Sequence, residues 1–260
     1  MKNNNQLILI LALLLCVSLE KFFKNKVISQ YSKLLEQYGY NPQSVGWGQR
    51  KGKQSIRYNV LSEIGKLNNC SILDVGCGFG DFYGFLKHKK MNVNYFGIDI
   101  TPGLIEFGKK IYPKANFEVR DFENKKFKQK FDWVFFSGIS SAGVNYKIIK
   151  KIMKEMYKIC KSGIALNFVG GVLDYKTKGI FYSDPEKIYN ISKELSNRIT
   201  LRHDYMPFEF TIYVYKDNSK TSNLVFKNYL KTSNIPITDQ DWHPFYKSKK
   251  IISSRTGKKQ

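Results

Sequence analysis

The stretch Asp74-Val75-Gly76-Cys77-Gly78-Phe79-Gly80 constrains this chain more than any other. It follows a short apolar run, Ser71-Ile72-Leu73, and precedes a helix-like segment from Phe82 to Lys89. Strand, glycine turn and helix in that order form the first crossover of a parallel sheet. Bare backbone at such a turn lets a nucleotide-like ligand come close. A dinucleotide-binding turn reads G-x-G-x-x-G and would place its third glycine at position 81. Asp81 stands there, and the glycine comes one residue early, at Gly80.

The same alternation continues downstream. Asn94 to Asp99 reads as a second strand ending in an acid, about twenty residues past the glycines, where a carboxylate can meet ribose hydroxyls. Thr101-Pro102 starts a helix with proline just inside. Ala115 to Val119 reads as a third strand, closed by Arg120-Asp121-Phe122. Asp132 to Phe136 is a fourth, fully buried strand, running into Ser137-Gly138-Ile139-Ser140-Ser141. Tyr146 to Ile159 is a helix, with Ile148, Ile149, Ile152, Met153, Met156 and Ile159 at helical spacing. Ser162-Gly163 ends it, and Ile164 to Val169 is a fifth strand. Asp184-Pro185-Glu186 opens another helix. Ile199 to Arg202 and Phe208 to Tyr215 are two last strands, joined by His203 to Pro207.

An acid before the turn, G-x-G-x-G spacing and this order of elements resemble class I S-adenosylmethionine-dependent methyltransferases, over roughly residues 25 to 217. The resemblance implies an α/β fold. Its sheet is Rossmann-like and seven-stranded, mostly parallel with an antiparallel last strand, and has helices on both faces. It implies S-adenosylmethionine as cofactor, met by Gly76, Cys77, Gly78 and Gly80 in the turn. Asp99 would hold the ribose, with Ile100 beside it. Asp121 would meet the adenine amino group, with Phe122 beside it. Ser137-Gly138 would lie next to the methyl group. Asp74 either touches the ligand or holds the turn. In the family the region before the turn often folds over the cofactor. Here it reads Val45-Gly46-Trp47-Gly48, then a helical segment whose Gln54 or Arg57 could pair with the cofactor carboxylate. His203 and Tyr205, at the end of the sixth strand, are the catalytic candidates, with His203 as base. Their structural alternatives are a hairpin histidine and, for Arg57, a surface arginine.

Methyl transfer from a sulfonium needs the acceptor held in line and little acid-base help. The motif therefore leaves the acceptor open, but some classes are disfavoured. No Asn/Asp-Pro-Pro-Tyr follows the fourth strand, and no Pro-Cys dipeptide offers the nucleophile of pyrimidine-carbon methylation. An oxygen or nitrogen of a small molecule is expected. An RNA or protein methyltransferase, or a silent methyltransferase-like binding protein, are the alternatives. A nicotinamide oxidoreductase is disfavoured by Gly80.

The 260 residues carry a formal charge of +22. The basic residues are scattered, so no specific nucleic-acid partner is expected. Cys16, Cys70, Cys77 and Cys160 show no C-x-x-C spacing, which argues against a metal site or disulfide framework. Residues 1–23 stand apart: Leu7 to Leu19 is almost wholly apolar. As a helix it extends roughly 20 Å, short of the roughly 30 Å hydrocarbon core of a bilayer. It reads as a membrane-associating segment, a signal or transit sequence, or a helix packed on the domain. Residues 24–217 are the expected methyltransferase domain. Residues 218–260 are a basic extension of unknown role. A cytoplasmic site, with membrane association through Leu7 to Leu19, follows from the cofactor's compartment.

Overall fold

A computed structural model of the chain describes residues 22–46, 53–122, 124, 127–140, 143–170, 176–217, 226 and 229. The expectations for Leu7 to Leu19, Trp47, Gly48 and Ser141 lie outside these residues, as does nearly all of the 218–260 extension. Contacts divide the chain into Met1–Lys216 and Asp217–Gln260, and the sheet with its helices belongs to the first.

The chain opens on helix α1 (22–38) and a 3-10 turn, Pro42–Val45. Asn41 caps that turn, its side chain accepting from the Gln43 amide at 3.0 Å. Then come α2 (Lys53–Ser62), β1 (Cys70–Val75), α3 (Asp81–His88), β2 (Val93–Asp99), α4 (Pro102–Ile111) and β3 (Asn116–Val119). They are followed by β4 (Phe131–Ser137), α5 (Tyr146–Ile159), β5 (Cys160–Val169), α6 (Pro185–Lys193), β6 (Ile199–Met206) and β7 (Glu209–Tyr215). The seven strands form one sheet in the order β3-β2-β1-β4-β5-β7-β6. The first five pair in parallel, and β7 lies antiparallel between β5 and β6. This is the Rossmann-like sheet that the resemblance implies.

The central strands are apolar on both faces because helices cover both. Successive side chains alternate across the sheet. Leu73, Val134 and Leu166 therefore pack with Ile149, Met153 and Met156 of α5. Their neighbours Ile72, Trp133 and Ala165 pack with Leu61, Phe82 and Leu86 on the other side. Side-chain caps begin two of the helices: Asn145 accepts from the Ile148 amide, and Asp184 from the Glu186 amide.

Two expectations change. Ser162-Gly163 does not end a helix. α5 passes straight into β5 at Cys160, and both residues lie within the strand. A Cβ on Gly163 would stand 2.9 Å from the Val214 carbonyl oxygen and 3.1 Å from the Trp133 ring, so this glycine answers to packing between strands. Arg57 is neither a surface residue nor placed to meet a ligand. It is 4 % exposed, and its Nε and Nη2 both donate to the Glu209 carboxylate, itself 1 % exposed. On α2, Arg57 lies one helical turn before the buried Leu61, which places it on the inward face.

Truncating one partner of this pair strands a buried charge, which costs about 3–5 kcal/mol. Arg57→Ala should therefore destabilise the fold by that amount in urea unfolding. The double replacement Arg57→Met with Glu209→Leu, which buries no charge, should recover most of the loss. Equal midpoints for the native chain and Arg57→Ala would disprove the pairing.

Candidate active site

From β1 the chain crosses to β2 on one side of the sheet and later returns to β4 on the other. At such a switch point the two crossovers leave a crevice at the carboxyl ends of the strands. A cavity of about 730 Å³ opens there, within the usual range for small-molecule sites.

The turn after β1 forms its floor. Gly76, Gly78 and Gly80 have φ of 65°, 56° and 81°, left-handed values that suit glycine. Space reinforces the choice. A Cβ on Gly80 would lie 2.5 Å from the Phe117 ring of β3, and one on Gly78 would lie 2.9 Å from Cγ1 of Val45. The early third glycine thus lets α3 start directly over β3. The bareness of Gly78 admits Val45 of the preceding segment, which itself lines the cavity with Gly46. Cys77 is buried, which pushes its thiol well above the ordinary range and leaves it a packing residue.

Asp99 ends β2 on the cavity wall, with Ile100 next to it. Its Oδ2 accepts from the Gly78 amide at 3.1 Å and its Oδ1 from the Thr101 amide at 2.8 Å. Burial raises the Asp99 pKa, and these backbone donors pull it back. Asp74 also lines the cavity, and its Oδ2 accepts from the Tyr95 hydroxyl at 2.6 Å. Burial pushes its pKa up to about 7 against the lowering effect of that bond. This placement serves both readings of Asp74. Asp81 accepts from the hydroxyls of Tyr40 at 2.7 Å and Tyr112 at 2.9 Å, which ties the segment after α1 to the start of α3.

Asp121 and Phe122 stand on the wall beyond β3, and Ser137 and Gly138 on the wall beyond β4. Asp121 accepts from Lys24 Nζ of α1 at 2.8 Å and from Asn124 Nδ2 at 2.8 Å. The Ser137 hydroxyl is buried and has no hydrogen-bond partner among the described residues. Gln54 lines the cavity where Arg57 does not, and it donates to the Tyr58 hydroxyl at 2.7 Å.

His203 and Tyr205 are not part of this wall. β6 does run parallel to β5, so its carboxyl end faces the ligand side. But β5 and β7 separate it from β4, a lateral distance of about 14 Å at usual strand spacing. His203 is exposed, with Nε2 3.2 Å from the Pro207 carbonyl oxygen. Tyr205 bonds Asn167 at 2.7 Å and Thr211 at 2.8 Å, and burial pushes its hydroxyl up to about 12.

Sequence reasoning missed two walls. Phe23, Lys24, Val27 and Tyr31 of α1 close one side, and Lys147, Ile148, Lys151 and Ile152 of α5 close another. The spacing of four residues between Phe23, Val27 and Tyr31 is the signal that marks one helix face. Among the described residues, no group of three or more His, Cys, Asp or Glu is placed to hold a metal ion. No helix among them is long and apolar enough to cross a membrane.

A family model described as a methyltransferase domain matches residues 66–241. A protein of Invertebrate iridescent virus 6, named as a candidate methyltransferase, is 23% identical over 193 residues, covering 73% of this chain and 68% of its own length. A protein of Mycobacterium tuberculosis named in the same way is 26% identical over 159 residues, covering 56% of this chain and 93% of its own. Among solved structures, magnesium protoporphyrin IX methyltransferase from Synechocystis PCC 6803 with bound SAH matches with a TM-score of 0.51. At 11% identity it covers 77% of this chain and 98% of that one, a likeness of fold.

Asp74 makes stability depend on pH. The folded chain holds this carboxyl protonated to about pH 7, against a usual value of 3.8. Its contribution is therefore fully present below that lower value and lost as pH rises through about 7. Asp74→Asn cannot ionise and keeps an acceptor for Tyr95. Relative to the native chain it should gain at most about 4 kcal/mol of stability between pH 4 and 8. Urea unfolding across that range checks this, and a constant difference would show that Asp74 ionises as freely folded as unfolded.

Proposed function

This chain belongs to the methyltransferase-domain family, and from that premise we propose that it moves a methyl group to an oxygen or nitrogen of a small-molecule acceptor. S-adenosylmethionine is the donor, and it supplies a methyl carbon already activated by a positive sulfur. The chain's own residues do the rest: they bind, orient and exclude water.

The observation that carries this reading is Asp99. Its carboxylate ends β2 on the cavity wall, anchored to Gly78 and Thr101. A fixed carboxylate there suits a pair of ribose hydroxyls, and the turn it anchors suits the adjoining part of the donor. Asp121 and Phe122 would meet the adenine. Gln54 takes the role first considered for Arg57, at the amino-acid end. Ser137 and Gly138, at the end of β4, would lie beside the reacting carbon. α1 lies along the cavity and excludes water.

An RNA acceptor is the second reading, favoured by the charge of +22. Scattered lysines give weak, unselective and salt-dependent binding, whereas a cavity of about 730 Å³ favours a small acceptor. The protein would act in the cytoplasm, where its donor is made, with Leu7 to Leu19 against a membrane.

Calorimetric titration should show binding of S-adenosylhomocysteine and none of NAD. Asp99→Ala should weaken S-adenosylhomocysteine roughly 30-fold or more, since it removes charge-assisted hydrogen bonds of about 1.5–3 kcal/mol each, less re-solvation. Unchanged affinity in a folded Asp99→Ala protein would remove the ribose assignment.

A further inference from the structure

We propose that the acceptor is a carboxylate at the end of an apolar body, such as a long-chain fatty acid. This rests on the methyltransferase reading above and narrows its acceptor.

The cavity is divided by charge. Asp74, Asp81 and Asp99 lie on the side of the glycine turn. Along β4 and α5, the described wall residues from Phe136 to Ile152 include no acid, while Lys147 and Lys151 stand one helical turn apart; the acid beside α1, Asp121, is paired with Lys24. Between these lysines and the sheet the wall is apolar: Ile148 and Ile152 of α5, Phe23 and Val27 of α1, and Phe136. An apolar body with one anionic group matches that surface. Both lysine side chains are exposed. They can draw in and align an anion without burying it in an ion pair, so its oxygen stays nucleophilic.

Proton balance points the same way. A hydroxyl or ammonium acceptor must lose a proton to a base. The described wall residues from Phe136 to Ile152 include no histidine or carboxylate to take it, Asp121 is held by Lys24 in an ion pair, and His203 and Tyr205 lie beyond β5 and β7. A carboxylate arrives without that proton. Its oxygen lone pair forms the new bond to the methyl carbon, and the carbon–sulfur pair returns to sulfur. A methyl ester and a neutral thioether result, and no proton moves.

The approach fits a lipid source. α1, whose Phe23 and Val27 form the wall, follows directly on the apolar run Leu7 to Leu19. At its start Phe22 is 62 % exposed and Phe23 38 %.

The test uses the full chain, methyl-labelled S-adenosylmethionine, and palmitate either free below its micellar concentration or carried in phosphatidylcholine vesicles. Hexanoate, dodecanol, dodecylamine and dodecyl phosphate run in parallel. Labelled methyl palmitate is expected, with no label in the alcohol, amine or phosphate. A higher rate with vesicles identifies the lipid surface as the source, and a higher rate with free palmitate identifies the aqueous pool. Either result supports the carboxylate. Replacing both Lys147→Gln and Lys151→Gln should raise KM for palmitate about tenfold and leave kcat and S-adenosylhomocysteine affinity within about twofold. A chain that binds S-adenosylhomocysteine but labels no carboxylate, or labels the amine or alcohol, overturns the proposal. A chain that does not bind S-adenosylhomocysteine overturns the methyltransferase site itself.

Discussion

The Asp99 carboxylate is the point on which the site depends. One oxygen accepts from Gly78 in the first turn and the other from Thr101 at the start of α4. A single side chain thus joins the two crossovers that diverge from β1 and β2. Without it, the turn would have no acceptor for the Gly78 amide and α4 no fixed start. The cost is a carboxylate in a poorly solvated place, offset by backbone donors. Asp74 pays a similar desolvation cost with Tyr95 as its donor.

The glycine motif carries packing information as much as ligand information. Cβ atoms on Gly76, Gly78 and Gly80 would strike Phe136, Val45 and Phe117 in turn. Each contact brings a different element to the turn: β4, the segment before α2, and β3. The motif therefore describes a junction where four parts of the chain meet. The cavity is the space left above that junction. Its roof is tied down by two polar links, Lys24 to Asp121 and Tyr40 to Asp81. These links join residues far apart in sequence: Asp81 stands directly after the glycine turn, and Asp121 follows β3.

Two kinds of misplacement show where reading a sequence stops. Arg57 was considered a ligand partner because it precedes the turn, yet its partner is Glu209, 152 residues away. α2 carried a hint, since Arg57 stands one helical turn before the buried Leu61. His203 and Tyr205 lie toward the carboxyl end of β6, but β5 and β7 separate β6 from the cavity wall at β4. Strand direction follows from alternation. Lateral order does not, because β7, the last strand in the chain, lies between β5 and β6 and not at the edge.

The sequence alone determined the elements, the α/β alternation, the glycine junction and the acid at the end of β2. These are local properties, set by side-chain period, by glycine's access to left-handed φ, and by fixed spacing along the chain. Tertiary structure decided which side chains share the cavity. It brought α1 and α5 to its walls, set Lys147 and Lys151 on the same cavity as the acids of the turn, and withdrew Arg57 into an ion pair. It did so because such neighbours are chosen by strand order and by the burial of apolar faces, which involve the whole chain at once.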